Sequence, residues 1–277
     1  MPNRAVASRL ERIRSKQPWL VLSAAQKFSV ASSSNPAISH FYSFEMSQST
    51  QETVAIPDGC IDIIFDCDAS SPTAEVFGTT MAAIDIELER HHRYFGVRFA
   101  LGIIPDCLKV SAEELIEHHF NLQDVIPHVD QLFEAIVGQA DFAAQVASFQ
   151  QFFEGKKARQ PSPLTQAAVR LTFERKGNIR IDELAGLTGY TTRTIQRQFR
   201  ADMGMSPKAF GRIIRCQSAV YTINHRDQVM FSDLAFELGF SDQSHFLKEF
   251  KILVSATPLS YQNRVKQQTY FDKIQYL

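Results

Sequence analysis

At 277 residues, with 44% hydrophobic and 21% charged side chains, the chain has the composition of an ordinary soluble protein and the length for two separate cores. No apolar run approaches the ~18 residues of a membrane span, so no membrane partner is expected. The net charge of −1 hides an asymmetry: residues 1–160 carry 13 Lys and Arg against 20 Asp and Glu, a balance of −7, whereas residues 161–277 carry 16 against 10, a balance of +6. An acidic front and a basic rear predict that the rear alone meets a polyanion, and that the front can dock on the rear and mask it.

Near the start, "RIRSKQPWLVLSAAQ" (12–26) has only a short apolar stretch, interrupted by Trp19 and Ser23, and no cleavage site, so a cytoplasmic protein is expected. Cys60, Cys67, Cys107 and Cys216 are widely spaced without a C-x-x-C, which argues against a zinc ribbon or a disulfide framework. Buried reduced thiols are the plain reading, and a redox sensor is the other.

Between residues 39 and 101, "SHFYSFEM", "CIDIIFD", "AEVFG", "AIDIELE" and "RYFGVRFAL" are short runs rich in β-branched and aromatic residues, punctuated by "IPDG" and "SSP". Such spacing predicts a barrel or jelly-roll sandwich. From Ser111 the period changes. "SAEEL" offers Ser111 as a helix cap with Glu114 three residues on. Val129, Leu132, Phe133 and Ile136, then Phe142, Val146, Phe149 and Phe153, recur at three and four as one face of a helical pair. That face packs on the strands or forms a dimer seam. The polar run "EGKKARQPSP" (154–163) reads as a linker, giving an N-terminal domain at 1–154, a linker at 155–163 and a C-terminal domain at 164–277.

The C-terminal domain contains an internal repeat. Leu184, Ala185, Gly189 and Tyr190 fall on Leu234, Ala235, Gly239 and Phe240, all 50 apart; Ile195, Phe199, Ser206, Pro207 and Phe210 then fall on Phe246, Phe250, Thr257, Pro258 and Tyr261, all 51 apart. In each copy a glycine ends a short helix, and Thr191 or Thr192, or Ser241 or Asp242, caps a second one. Ile195 with Phe199, and Phe246 with Phe250, stand four apart and define the inward face of that second helix. The opposite face carries Arg193, Gln196, Arg197 and Arg200 in the first copy, and Gln243, Ser244, His245, Lys248 and Lys251 in the second. Ser206-Pro207 and Thr257-Pro258 mark further helix starts.

Two short helices around a tight corner form a helix-turn-helix, whose second helix enters the major groove of DNA. Arg and Lys suit guanine O6 and N7, while Gln, Ser and His meet other base edges. For a single helix the alternative is the solvated face of a bundle. Two copies with cations at matching positions, Arg197 with Lys248 and Arg200 with Lys251, favour DNA.

From about Leu164 to Tyr261 the chain resembles the DNA-binding region of AraC/XylS-type transcriptional regulators, on "LAFELGFSDQSHFLKEFK" followed by "TPLSYQ". The resemblance implies seven helices, with "SPKAFGRIIRCQSAVYTIN" as the long helix between two helix-turn-helix units, and recognition helices in successive major grooves about 34 Å apart. It places base contacts on Arg193, Gln196 and Arg197, and on Gln243, Ser244, His245 and Lys248. The family usually has Ser-Arg or Thr-Arg where this chain has Leu247-Lys248, which implies a less specific grip, since Lys lacks the bidentate fork of Arg.

The front, through "IPDGCIDIIF" (56–65) and "FGVRFALG" (95–102), more loosely resembles the cupin-like effector domain of one AraC-type subgroup, with Leu101 where that subgroup tends to have proline. Asp58 and Gly59 make a turn or line a pocket. Asp62 points inward as a ligand anchor or outward, and Arg98 presents the same choice, able to hold a ligand carboxylate if it faces inward. Phe44, Asp62, Phe65, Tyr94 and Arg98 are the candidate effector pocket, with Phe41 and Phe99 as further apolar lining or core. His91-His92 and His118-His119 offer no H-x-H or H-E-x-x-H spacing, so no metal, no cofactor and no catalytic residue are expected. The expected fold is α+β, a cupin-like barrel or jelly roll with a helical extension followed by an all-α double helix-turn-helix domain. The expected function is a DNA-binding regulator, with promoter DNA, RNA polymerase, a small-molecule effector and a second copy of the chain as candidate partners. The alternatives are a cupin-type metal-dependent enzyme fused to a DNA-binding domain and a helical protein-interaction module.

Overall fold

Alternating apolar residues between turn residues give short strands in the front half of the computed structural model. The structure describes residues 25–46, 53–226, 228–267 and 274–277. Most of the 12–26 stretch considered above lies outside the described residues. The front contains β1 (Ala25–Ser32), β2 (Ile38–Met46), β3 (Thr53–Ala55), β4 (Asp62–Asp66), β5 (Thr73–Phe77), β6 (Ile84–Ile86), β7 (Arg93–Phe99), β8 (Ile104–Pro105) and β9 (His119–Asn121). Helices α1 (Leu122–Val125), α2 (Asp130–Val137) and α3 (Phe142–Phe153) follow, then β10 (Ala158–Arg159). The rear contains α4 (Pro163–Glu174), α5 (Ile181–Thr188), α6 (Thr192–Met203), α7 (Pro207–His225), α8 (Phe231–Glu237), α9 (Gln243–Val254) and α10 (Pro258–Gln267), and the chain ends in β11 (Ile274–Tyr276). The seven helices among the described residues of the rear match the number the sequence resemblance implies.

The main sheet runs β11-β1-β2-β7-β4-β5-β9, with β3-β6 and β8-β10 as two-stranded satellites. Its outer strands do not pair with each other among the described residues. Among the described residues the front is thus an open sheet with small flanking ribbons; of the barrel and the jelly-roll sandwich that strand spacing allows, a closed barrel is not formed there, because spacing does not tell which strands meet. One face of the sheet buries Phe41, Ile63, Phe65, Phe95, Val97 and Phe99 against Phe142, Phe149 and Phe153 of α3. The helical pair therefore packs its apolar stripe on its own sheet. The opposite face carries Tyr42, Phe44, Met46 and Tyr94. There the Tyr42 ring lies on Gly96, where a Cβ would stand 2.0 Å from its Cζ.

The helix expected at "SAEEL" does not form. Ser111 and Glu114 make both reciprocal capping bonds, at 2.8 and 3.2 Å, yet residues 112–117 are turns. Tertiary contacts capture the segment instead: Glu117 N–H donates to Thr79 O, Gly78 N–H donates to His118 O, and the backbone turns left-handed at Glu117 (φ 61°). A single capped turn is a costly nucleus that these bonds outweigh.

The linker segment is anchored too. β10 pairs antiparallel with β8, and Ser162 caps α4 while donating through its Oγ to Asp202 of α6 at 2.6 Å. The front and rear share cores rather than meeting through a solvated gap. Val54 and Ile56 belong to the cluster of α8 and α9, while Leu101, Met81 and Ile116 pack on that of α5 and α6. Gln217 of α7 donates to Pro57 O at 2.7 Å, Ala83 N–H donates to Ile252 O of α9 at 3.0 Å, and β11 lies parallel to β1.

Candidate functional site

The two units of the rear form as their local residues dictate. α5 ends at Gly189 (φ 73°), and Thr191 caps α6 by accepting from Thr194 N–H. α8 is followed by Gly239 (φ 71°), and Asp242 caps α9 by accepting from His245 N–H at 2.7 Å. Thr191 and Asp242 are therefore the caps, each worth ~1 kcal/mol to its helix. Asp242 is held below the usual carboxylate range, chiefly by the His245 N–H bond.

Ile195, Phe199, Phe246 and Phe250 are buried at 0, 1, 0 and 2% exposure. Fixing those faces inward turns Arg193, Gln196, Arg197 and Arg200 outward on α6, and Gln243, Ser244, His245, Lys248 and Lys251 outward on α9; all nine are exposed. The arrangement presents guanidinium, ammonium, amide, hydroxyl and imidazole groups from two matching helices. Residues near the start of such a helix reach base edges, whereas later ones suit phosphates. Arg193, Gln196, Arg197, Gln243, Ser244, His245 and Lys248 occupy the first two turns. Arg200 and Lys251 lie in the last turns.

Two of these side chains have protein partners that the sequence did not reveal. Arg200 Nη2 pairs with Glu113 Oε1 of the front domain at 2.7 Å, with both side chains 65% exposed. The His245 ring stands edge-on to Phe240 at 5.3 Å and its Nδ1 is 3.1 Å from Ser241 Oγ. Leu247, beside Lys248, is partly exposed on the same helix.

The candidate pocket residues of the front divide. Asp62, Arg98, Phe44 and Tyr94 share the sheet face that carries Tyr42, while Phe65 points to the α3 side. Phe41 and Phe99 also lie on the α3 side, as core. Asp62 and Arg98 face inward as a pair: Arg98 Nη2 is 2.6 Å from Asp62 Oδ2, Nη1 is 2.6 Å from Asp58 Oδ2, and Tyr42 Oη donates to Asp62 Oδ1 at 3.1 Å. The guanidinium is thus engaged by two internal carboxylates rather than open to a ligand's carboxylate. Burial raises Asp62 despite Arg98, and it raises the Tyr42 hydroxyl well above its ordinary value. Burial works against the charged form of Arg98, but Asp58 and Asp62 outweigh it and keep the guanidinium protonated. Asp58 also makes the expected turn, accepting from Cys60 N–H at 2.9 Å. Cys60, Cys67 and Cys216 are buried and Cys107 is half-buried, none of them in a disulfide among the described residues.

With this geometry in hand, comparison with known families matches residues 184–264 to a helix-turn-helix domain, and residues 32–121 to a domain of unknown function. An uncharacterized HTH-type transcriptional regulator of Haemophilus influenzae is 29% identical over 108 residues, 39% of this chain and 36% of that protein. The HTH-type transcriptional activator RhaS of Klebsiella pneumoniae is 30% identical over 70 residues, 25% of each chain. The chain thus covers about a third or less of the length of these curated relatives. Among solved structures, ToxT from Vibrio cholerae O395 aligns over 87% of this chain and 98% of its own, at 13% identity and a TM-score of 0.41. The rear of the chain is a double helix-turn-helix domain. Its signature residues resemble those of AraC/XylS-type regulators, and a named transcriptional activator is among the proteins it matches.

Proposed function

We propose that this chain is a cytoplasmic transcription regulator that binds double-stranded promoter DNA through both helix-turn-helix units. The observation that carries the reading is the duplicated helix whose buried Ile195/Phe199 or Phe246/Phe250 pair turns a cationic and amide face to solvent at corresponding positions. A solvated bundle face has no need to repeat that pattern twice. Binding in successive grooves uses Arg193, Gln196 and Arg197 from one unit and Gln243, Ser244, His245 and Lys248 from the other, with Arg200 and Lys251 on phosphates. RNA polymerase is the partner through which such binding acts on transcription.

We read the front as a cupin-like sensory or dimerisation domain that modulates this binding through a small molecule or a second copy. Its support is direct contact with both units, at Ile252 of α9 and at Arg200 of α6. Any ligand is held by groups other than Arg98, whose carboxylate partners are already in place. Selection of duplexes from a random-sequence library, followed by affinity measurement, tests the reading. Arg197→Ala costs on the order of 1–3 kcal/mol on the selected sequence. Unchanged affinity in both Arg197→Ala and Lys248→Ala would assign the helical domain to protein contacts instead.

A further inference from the structure

The two copies of the unit are not packed alike. At the first corner, Gly189 has nothing within 4 Å of the place where a Cβ would stand. At the second, the amide of Asn178 occupies that place beside Gly239, with its Nδ2 2.1 Å from the would-be Cβ. Left-handed backbone accounts for glycine at both corners. Only the second also requires glycine for close approach. Asn178 lies in the turn between α4 and α5, so a turn of the first unit bears directly on the corner of the second.

The same turn is seated on the connecting helix. A Cβ on Gly177, at φ 81°, would stand 2.3 Å from Gly211 O and 2.6 Å from the Arg215 backbone nitrogen of α7. Arg215 then reaches over the Phe240 ring, its guanidinium carbon 4.8 Å from the ring centre. These contacts gather where α7 passes from one core to the next. Phe210, Ile213 and Ile214 belong to the first unit's core and Cys216, Ala219 and Val220 to the second's, and the two cores are separate clusters. A continuous helix alone leaves each unit free to rock on its own core. The joint adds a direct restraint between the two units, beside the one the front supplies by packing Ile56 on the second core and Leu101 on the first.

We infer that this joint sets the spacing and rotational phase of the two recognition helices, and that Asn178 is its positioning residue. The inference rests on the DNA-binding reading above and deepens it. Asn178 acts through Gly239. One inserted base pair moves a half-site along and around the duplex by roughly a tenth of a turn, a shift that a rigid pair of helices follows only by deforming the DNA or itself.

The test uses the full-length chain and the duplex it selects from a random-sequence library, with one base pair inserted or removed between the two half-sites. Wild type loses about tenfold or more in affinity on the altered spacing, whereas Asn178→Ala loses about threefold or less and binds the parent duplex within about threefold of wild type. Asn178→Asp, which keeps the side chain's size, retains the wild-type spacing penalty. An equal penalty in wild type and Asn178→Ala overturns the inference. A second readout needs no DNA: spin labels at Asp182→Cys and Ser232→Cys, both exposed, in a Cys107→Ser background. A narrow distance distribution that broadens with Asn178→Ala supports the joint, and an unchanged distribution overturns it. Failure of the wild type to select any duplex sinks the DNA reading, and the spin-label result then decides the joint by itself.

Discussion

Arg98 shows what a single buried charge does in this fold. Arg98, 8% exposed, sits between Asp58 and Asp62 on the sheet face that carries Tyr42, and Asp58 adjoins Pro57, whose carbonyl accepts from Gln217 of α7. Breaking such a group by removing one partner is far more damaging than the group itself is stabilising, because the remaining charges stay buried. Arg98→Ala therefore leaves two facing carboxylates and costs about 3–5 kcal/mol in urea unfolding; a loss below ~1 kcal/mol would contradict the buried-pair description. Period-two alternation put Asp62 opposite Ile61 and Ile63, and left Arg98 with a choice of faces. The pairing of the two was not legible, because it depends on the register that sets Asp62 beside Arg98 on neighbouring strands. The Glu113 partner of Arg200 was not legible for the same reason, since it lies 87 residues away in the chain.

At the scale of elements, the rear was far more legible than the front. Helix-turn-helix units are specified locally, by a corner glycine, a cap and apolar residues four apart, and each of these signals lies within about twenty residues of the others. The duplication added a second, independent copy of the evidence. Phe199→Ala and Phe250→Ala each remove a ring buried at 2% exposure or less, and each costs about 3–5 kcal/mol of folding stability. Thermal or denaturant unfolding checks this, and a cost confined to DNA affinity would place those rings on the wrong face. The front's strands were also recognisable from alternation, but their order was not, so the open sheet of the described residues did not follow from their spacing. "SAEEL" failed as a helix even though its capping box formed, since bonds from Glu117 to Thr79 and from Gly78 to His118 bind the turn to the sheet.

For the whole molecule, the −7 and +6 halves suggested docking by charge. The contact is instead mainly apolar and backbone-mediated, through Val54, Ile56, Leu101 and the Ala83–Ile252 bond, and it leaves the outward side chains of α6 and α9 exposed. Electrostatics enters at Arg200–Glu113, a surface pair worth ~0–1 kcal/mol and screened by salt. Glu113→Gln frees Arg200 and removes a nearby negative charge, so DNA affinity rises by about two- to fivefold at low salt and by less at higher salt; equal affinities at both salt concentrations would show that the pair does not compete with DNA. The central claim is that two copies of one bent helical pair read one duplex. Footprinting of major-groove contacts on the selected duplex tests it most directly. Wild type is expected to protect two patches one helical turn apart, with Arg197→Ala losing one and Lys248→Ala losing the other. A single patch, or loss of both patches together in either variant, would contradict the account.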